Sequence, residues 1–183
     1  MGTIQRRIGL FLLGILLLVS LLTVILNTKG QERIYDPEIG LRSGEELGVV
    51  FIGAKFCQAH REPGFRELVE HMKVLLAERA ARDSMAISVR GIALDWSIGD
   101  GIEFLESFGR FDQVSVGENW LNIGAMRYIW SEFPGHPAVP QVLVLKRLVE
   151  VKEGGIAIEE ERLLKRVVGT DEIRRWVEQG API

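Results

Sequence analysis

The sequence predicts an α/β fold, in which a mixed central sheet carries helices on both faces and one transmembrane helix precedes the domain. Short apolar runs of strand type alternate with longer segments whose apolar residues recur at helical spacing. The last two strand-like runs are joined by Glu153-Gly154-Gly155, a typical hairpin connection. Because the alternation favours parallel strands and the hairpin adds an antiparallel one, the sheet is expected to be mixed.

The elements follow in the order β-α-β-α-β-α-β-β-α. The first strand, Leu47 to Gly53, is continuously apolar, as is typical of a central strand buried on both faces. Pro63 suits the first turn of the next helix, and Ser97 and Thr170 are candidate helix caps. The spacing predicts helices over residues 65–82, 97–108, 119–130 and 171–179, and strands over residues 85–96, 111–116, 141–145 and from 156 onward.

The N-terminal segment predicts a membrane anchor. Residues 8–26 are 19 residues without a charge, and at about 1.5 Å per residue they span a bilayer core of roughly 30 Å. A cleaved signal peptide is the alternative, but the apolar run is longer than usual and no A-x-A-like site follows it. Arg6 and Arg7 favour a cytoplasmic N-terminus at residues 1–7. Residues 27–46 then form a linker or first strand, and residues 47–183 a periplasmic domain at a bacterial-type inner membrane.

Composition excludes some classes of function. The net charge of -3 leaves no concentrated basic face for nucleic acid. The single cysteine, Cys57, excludes a disulfide within the chain. No cofactor is predicted from the sequence.

Three short stretches carry a resemblance to a known superfamily. The run Val49 to Gly53 leads into a turn that contains Cys57-Gln58-Ala59-His60, Val139-Pro140 stands directly before a strand, and Arg166 to Gly169 precedes the last helix. Over about residues 45–180 the chain resembles the thioredoxin-like superfamily, in its membrane-anchored thiol-disulfide and peroxiredoxin-like branch. The resemblance implies a redox cysteine at a helix N-terminus with a cis-proline facing it. The second cysteine of the CxxC motif is replaced here by His60.

These residues define the candidate sites. Cys57 is the candidate nucleophile, His60 a possible source of positive charge beside it, and Pro140 the wall of a substrate groove; the alternative is an inert, half-buried cysteine. Cys57, His60 and His136 are weak candidates for a copper or zinc site, against the simpler interpretation of loop histidines. Peroxide reduction is not expected, because Gly53 to Phe56 lack the Thr or Ser and the Pro that peroxiredoxins place there.

An aromatic-rich stretch near the predicted cis-proline is a candidate contact surface. Trp130 and Phe133 are predicted to contact a partner protein, whereas Trp120 and Tyr128 are expected to pack in the core. The run Glu159 to Glu161 is expected to be a solvated strand edge or turn.

Two functions remain open from the sequence. The first is an accessory or structural subunit of a larger integral membrane complex, such as a respiratory or photosynthetic electron-transfer assembly, tethered to the bilayer by residues 8–26. The alternative is a membrane-tethered monothiol thiol-disulfide oxidoreductase that uses Cys57 and an external resolving thiol.

Overall fold

The computed structural model describes residues 43–152 and 155–183, without the side chains of residues 59, 60, 155 and 156. The predicted transmembrane segment 8–26, and most of the predicted linker, lie outside the described residues. Within the described ranges, none of the helices combines the length and the apolar character needed to cross a bilayer.

The described chain forms a five-stranded mixed sheet, as predicted. Its strands are β1 (Gly44–Gly53), β2 (Ala86–Ala93), β3 (Gln113–Val116), β4 (Gln141–Lys152) and β5 (Gly155–Val168). They lie in the order β3-β2-β1-β4-β5. Strands β1, β2 and β3 are parallel, and β4 runs antiparallel to both β1 and β5. The apolar strand β1 is therefore central, which explains why it lacks the alternation of a half-exposed strand.

Helical segments cover both faces of the sheet. They are α1 (Phe65–Arg82), α2 (Ile98–Glu106), α3 (Ile123–Ala125), which continues as a π-helix over Met126–Ser131, and α4 (Thr170–Glu178). On the first face, Val49 and Phe51 of β1 pack against α1, α2 and α4. On the second face, Val50 and Ile52 pack against Tyr128 and its neighbours. The alternate residues of one strand thus belong to two cores.

The predicted amphipathic helix over residues 119–130 is wrong. A 3₁₀ turn, Asn119–Leu121, is separated from α3 by Asn122, whose ψ of 131° is extended rather than helical. The Asn122 side chain accepts a hydrogen bond from the Gly124 backbone and so starts a new turn. Two apolar residues that the spacing assigned to the buried face, Leu121 and Ile123, are consequently 70% and 79% exposed.

The predicted helix starts are partly confirmed. Ser97 caps α2, because its hydroxyl accepts from the Asp100 backbone N–H at 3.3 Å. Thr170 does not cap α4 but is its first residue, and the preceding Gly169 has a φ of 89°. Pro63 stands before the first turn rather than in it, since Gly64, with a φ of 78°, directly precedes α1.

The prediction of a solvated Glu159–Glu161 run is wrong for Glu161. Its carboxylate is 6% exposed and lies 2.7 Å from both Arg127 Nη2 and Arg147 Nε. The pairing of Glu161 with Arg147 across β4 and β5 places the carboxylate on the second face of the sheet.

Candidate functional site

The turn after β1 is held by a buried carboxylate on the neighbouring strand end. The backbone N–H of Cys57 donates to the Ala54 carbonyl at 3.1 Å, which closes the turn. The backbone N–H of Lys55 donates to both carboxylate oxygens of Asp95, at 3.2 and 3.1 Å. Sequence reasoning missed Asp95; its signal is a charged residue directly after the apolar end of β2.

Cys57 and Pro140 meet at this end of the sheet. The Val139–Pro140 peptide bond is cis, and the Cys57 thiol donates to the Val139 carbonyl oxygen at 3.5 Å. Cys57 and Pro140 also line one crevice with Phe51, Phe65 and Phe104, and it is too narrow for a water molecule. The expected approach of the cis-proline to the cysteine is therefore present.

The expected position of Cys57 at a helix N-terminus is not observed. Only a single 3₁₀ turn, Gln58–Arg61, follows the cysteine, and α1 begins at Phe65. The aligned backbone dipoles of α1 therefore begin eight residues after Cys57, beyond the first turn to which the dipole effect is limited.

The nearest cation in the sequence, Lys55, is engaged elsewhere. Its amino group lies 2.8 Å from the Asp100 carboxylate and 2.7 Å from that of Glu103. These hydrogen bonds, first that of Asp100 and then that of Glu103, raise the pKa of Lys55, and the Lys55 contact lowers the pKa of Asp100. Lys55 thus ties the turn to α2.

The topology agrees with the fold that the sequence predicts. Three parallel strands are followed by an antiparallel hairpin, helices cover both faces, and Val139-Pro140 stands against the cysteine turn. This is the arrangement that the resemblance to the thioredoxin-like superfamily implies.

Comparisons with known proteins give distant structural neighbours. The thioredoxin domain of a thiol-disulfide oxidoreductase from Bacteroides vulgatus is 12% identical, with a TM-score of 0.40, covering 75% of this chain and 80% of that one. A thioredoxin-family thiol:disulfide interchange protein from Chlorobium tepidum TLS is 13% identical, with a TM-score of 0.36, covering 75% and 81%. No protein-family model and no curated protein matches the chain.

The three candidate metal ligands are only partly described. His136 is exposed in the loop before the cis-proline. The backbone of His60 lies in the 3₁₀ turn after Cys57, but its side chain lies outside the described residues. Within the described ranges, no three His, Cys, Asp or Glu side chains group as metal ligands would. The roles of His60 and the metal site therefore remain predictions.

The two predicted partner contacts have different environments. Trp130 is partly exposed and its ring lies 6.4 Å from that of Trp120. The ring of Phe133 stacks on the buried Tyr128 at 5.9 Å, so much of it contributes to the second core. Trp130 is consequently the better placed of the two to touch another molecule.

Large apolar side chains are exposed where the parallel strands end. They follow β1, β2 and β3 in the chain. We call this set the apolar edge, and it comprises Phe56, Trp96, Ile98, Leu121 and Ile123. Trp96 alone is 74% exposed. The segments that carry them are joined by the Asn119 backbone N–H, which donates to the Asp95 carbonyl at 3.4 Å. The apolar edge adjoins the Cys57 turn through Asp95.

Proposed function

We propose that this chain is a membrane-anchored thioredoxin-like domain that docks onto a protein of a larger membrane complex through the apolar edge. The observation that carries the proposal is the exposure of Phe56, Trp96 and Leu121 where the parallel strands end. Exposed apolar patches of this kind mark interaction surfaces in soluble domains. Dithiol chemistry within one chain is excluded by the single cysteine.

The apolar edge has the composition of a binding hot spot. Tryptophan is enriched among the residues that dominate binding free energy. A fully exposed Trp offers roughly 200 Å² of surface, so burying the exposed part of Trp96 contributes about 3–4 kcal/mol at about 25 cal/mol per Å². Association has an entropic cost of several kcal/mol, so the other residues of the edge must also be covered. The partner surface that fits is apolar and belongs to a folded protein.

The membrane placement and host complete the proposal. Residues 8–26 supply the anchor and Arg6 and Arg7 the orientation, which puts the domain on the periplasmic side. We propose a respiratory or photosynthetic electron-transfer assembly as the class of host. A thioredoxin-like scaffold without its second thiol can serve such an assembly as a structural subunit.

Site-specific photo-crosslinking in native membranes tests the docking surface. A photoreactive residue replaces Phe56, Trp96 or Leu121 in the full chain, and a matched control replaces the exposed Arg162 of β5. The proposal predicts that the three edge positions crosslink to the same membrane protein and that the control position does not. Equal crosslinking from all four positions, or none from the edge, would contradict the proposal.

A monothiol thiol-disulfide oxidoreductase is the second candidate. The half-buried Cys57 sulfur beside Pro140 supports it. In that reaction the Cys57 thiolate attacks a substrate disulfide, forms a mixed disulfide and releases one substrate thiolate. An external thiolate then attacks the substrate sulfur of the mixed disulfide, which releases the Cys57 thiolate and leaves the substrate joined to the external thiol by a disulfide. Fast alkylation at about pH 6, where an ordinary thiol is protonated, is the result that this candidate requires.

A further inference from the structure

A buried guanidinium on the second face of the sheet is incompletely hydrogen-bonded. The Arg147 side chain is 2% exposed and lies flat on Gly48, where a Cβ atom would meet its guanidinium at 2.5 Å. Its Nη1 lies 3.1 Å from Glu46 Oε1, and its Nε lies 2.7 Å from Glu161 Oε1. Arg147 Nη2 has no hydrogen-bond acceptor within the described part of the chain. A buried donor of this kind normally has a partner.

Two more guanidinium groups flank the ring of Tyr128. The Cζ atoms of Arg90 and Arg127 lie 5.5 and 5.4 Å from the ring centroid. Arg90 donates to the Tyr128 hydroxyl and, through Nε, to Gln113 Oε1 at 2.9 Å. The buried Nε of Arg127 has no hydrogen-bond partner in the described ranges. Arg90 also donates to Gln113 through Nη2, and because each terminal nitrogen carries two hydrogens, Arg90 keeps N–H groups beyond those used in these bonds.

Three carboxylates face the three arginines of this cluster. Glu46 and Glu161 are largely buried, and the half-exposed Glu132 contacts Arg127. Burial lowers the pKa of Arg90, and it also raises the pKa of Glu46, against the attraction of Arg147. Burial thus disfavours the charged form of Arg90, and an anion bound beside Arg90 would stabilise that form.

A cavity of about 540 Å³ opens beside this cluster. Arg90, Arg127 and the Tyr128 ring form its polar wall, together with Glu132, whose carboxylate lies 2.9 Å from Arg127 Nη2. Val114, Ile123 and Met126 supply apolar surface opposite. The volume is within the range of small-molecule sites, and the lining combines an apolar wall with a few convergent polar groups.

We propose that this cavity binds a small organic oxyanion, a carboxylate or phosphate monoester on an apolar body. The oxyanion lies between Arg90 and Arg127, which offer paired N–H donors suited to two oxygens. The apolar body lies against Val114 and Ile123. Arg147 supports the site from behind by adding positive charge and by holding Glu161, the partner of Arg127. The site does not involve Cys57, and of the residues of the apolar edge it uses only Ile123.

Calorimetric titration of the full chain in a mild nonionic detergent tests the site. Phenyl phosphate serves as the probe at constant ionic strength, with inorganic phosphate and phenol as the two halves of the probe. Saturable binding of phenyl phosphate, tighter than that of either half, is expected. No saturable binding, or binding of phenol as tight as that of phenyl phosphate, overturns the proposal.

Matched charge variants locate the binding. Arg90→Gln and Arg127→Gln should each weaken phenyl phosphate binding about tenfold, as the loss of a charge-assisted pair predicts. Arg162→Gln is the control, because Arg162 pairs with Lys146 and so lies on the opposite face from Arg147. Near-ultraviolet circular dichroism identifies a variant that fails to fold, and the other arginine variant then decides. An equal loss in Arg162→Gln overturns the proposal.

Discussion

Replacing Arg147 with methionine should strongly destabilise the domain. The change removes a guanidinium 2.7 Å from Glu161 and 3.1 Å from Glu46. It leaves the largely buried Glu46 without its salt-bridge partner, whereas Glu161 keeps Arg127. Two charges about 4 Å apart attract by roughly 4 kcal/mol at an effective dielectric of 20. Removing one member of a buried pair costs about 3–5 kcal/mol, because the remaining charge stays desolvated. We therefore expect Arg147→Met to lower the free energy of unfolding by about 3–5 kcal/mol.

The double variant Arg147→Met with Glu46→Leu separates this mechanism from simple loss of packing. Replacing both members of a buried pair by apolar residues is often neutral. The double variant should therefore recover part of the stability lost in Arg147→Met, because it removes the carboxylate that the single variant leaves unpaired. A cavity or packing defect would instead make the double variant less stable than either single one.

Urea unfolding of the full chain in mild detergent, followed by near-ultraviolet circular dichroism, measures these changes. Lys152→Met is the control, because the ion pairs of Lys152 with Glu150 and Glu159 are exposed to solvent and therefore contribute little to stability. If Arg147→Met destabilises the protein no more than Lys152→Met does, the account of a buried network is wrong.

Four further substitutions have effects whose direction the structure predicts. Burial raises the pKa of Glu46 above 4.5 in the folded state. Glu46 therefore adds to the free energy of unfolding below about pH 4.5, and this contribution is lost as the pH rises through the pKa of the folded state. In urea titrations at several pH values, Glu46→Gln should lack that decline. Gly53→Ala should lower the free energy of unfolding measured with urea by about 1–3 kcal/mol, because the added Cβ would lie 2.6 Å from Phe104. Gly99→Ala on α2, where a Cβ meets no close contact, should raise it by about 0.5–1 kcal/mol. Ser97→Ala should lower the melting temperature through the loss of about 0.5–2 kcal/mol of capping energy; an unchanged melting temperature would contradict the assigned cap.

The strands and the long helix could be predicted because the buried faces of these elements require apolar residues at a regular local spacing. Continuous apolar residues in β1 and helical spacing over Phe65–Arg82 both follow directly from the environments that these elements occupy. The 119–131 segment could not be predicted by spacing. Its helical periodicity is interrupted by the extended Asn122 and by positive φ angles at Glu118 and Asn119, residues that carry no glycine signal.

The site was predictable only in part, for a related reason. The approach of Cys57 to Pro140 follows from the resemblance, but the distance from Cys57 to the start of α1 depends on the loop between them. The charge network of Glu46, Arg147 and Glu161 depends on the register in which β4 and β5 pair. Glu161 reaches Arg147 because of irregularities in the β4–β5 ladder, and a run of glutamates does not reveal which member faces the core.

Quantitative co-purification from native membranes tests the central claim that the domain docks by its apolar edge rather than reacting through its thiol. The chain is isolated in mild detergent as wild type, as Cys57→Ser, and as Trp96→Ser with Leu121→Ser, and the partner protein identified by crosslinking is measured against it. The account predicts an undiminished partner in Cys57→Ser and a loss of at least about tenfold in the edge variant, as expected when two hot-spot side chains are removed. Loss of the partner in Cys57→Ser, with full retention in the folded edge variant, would contradict the account.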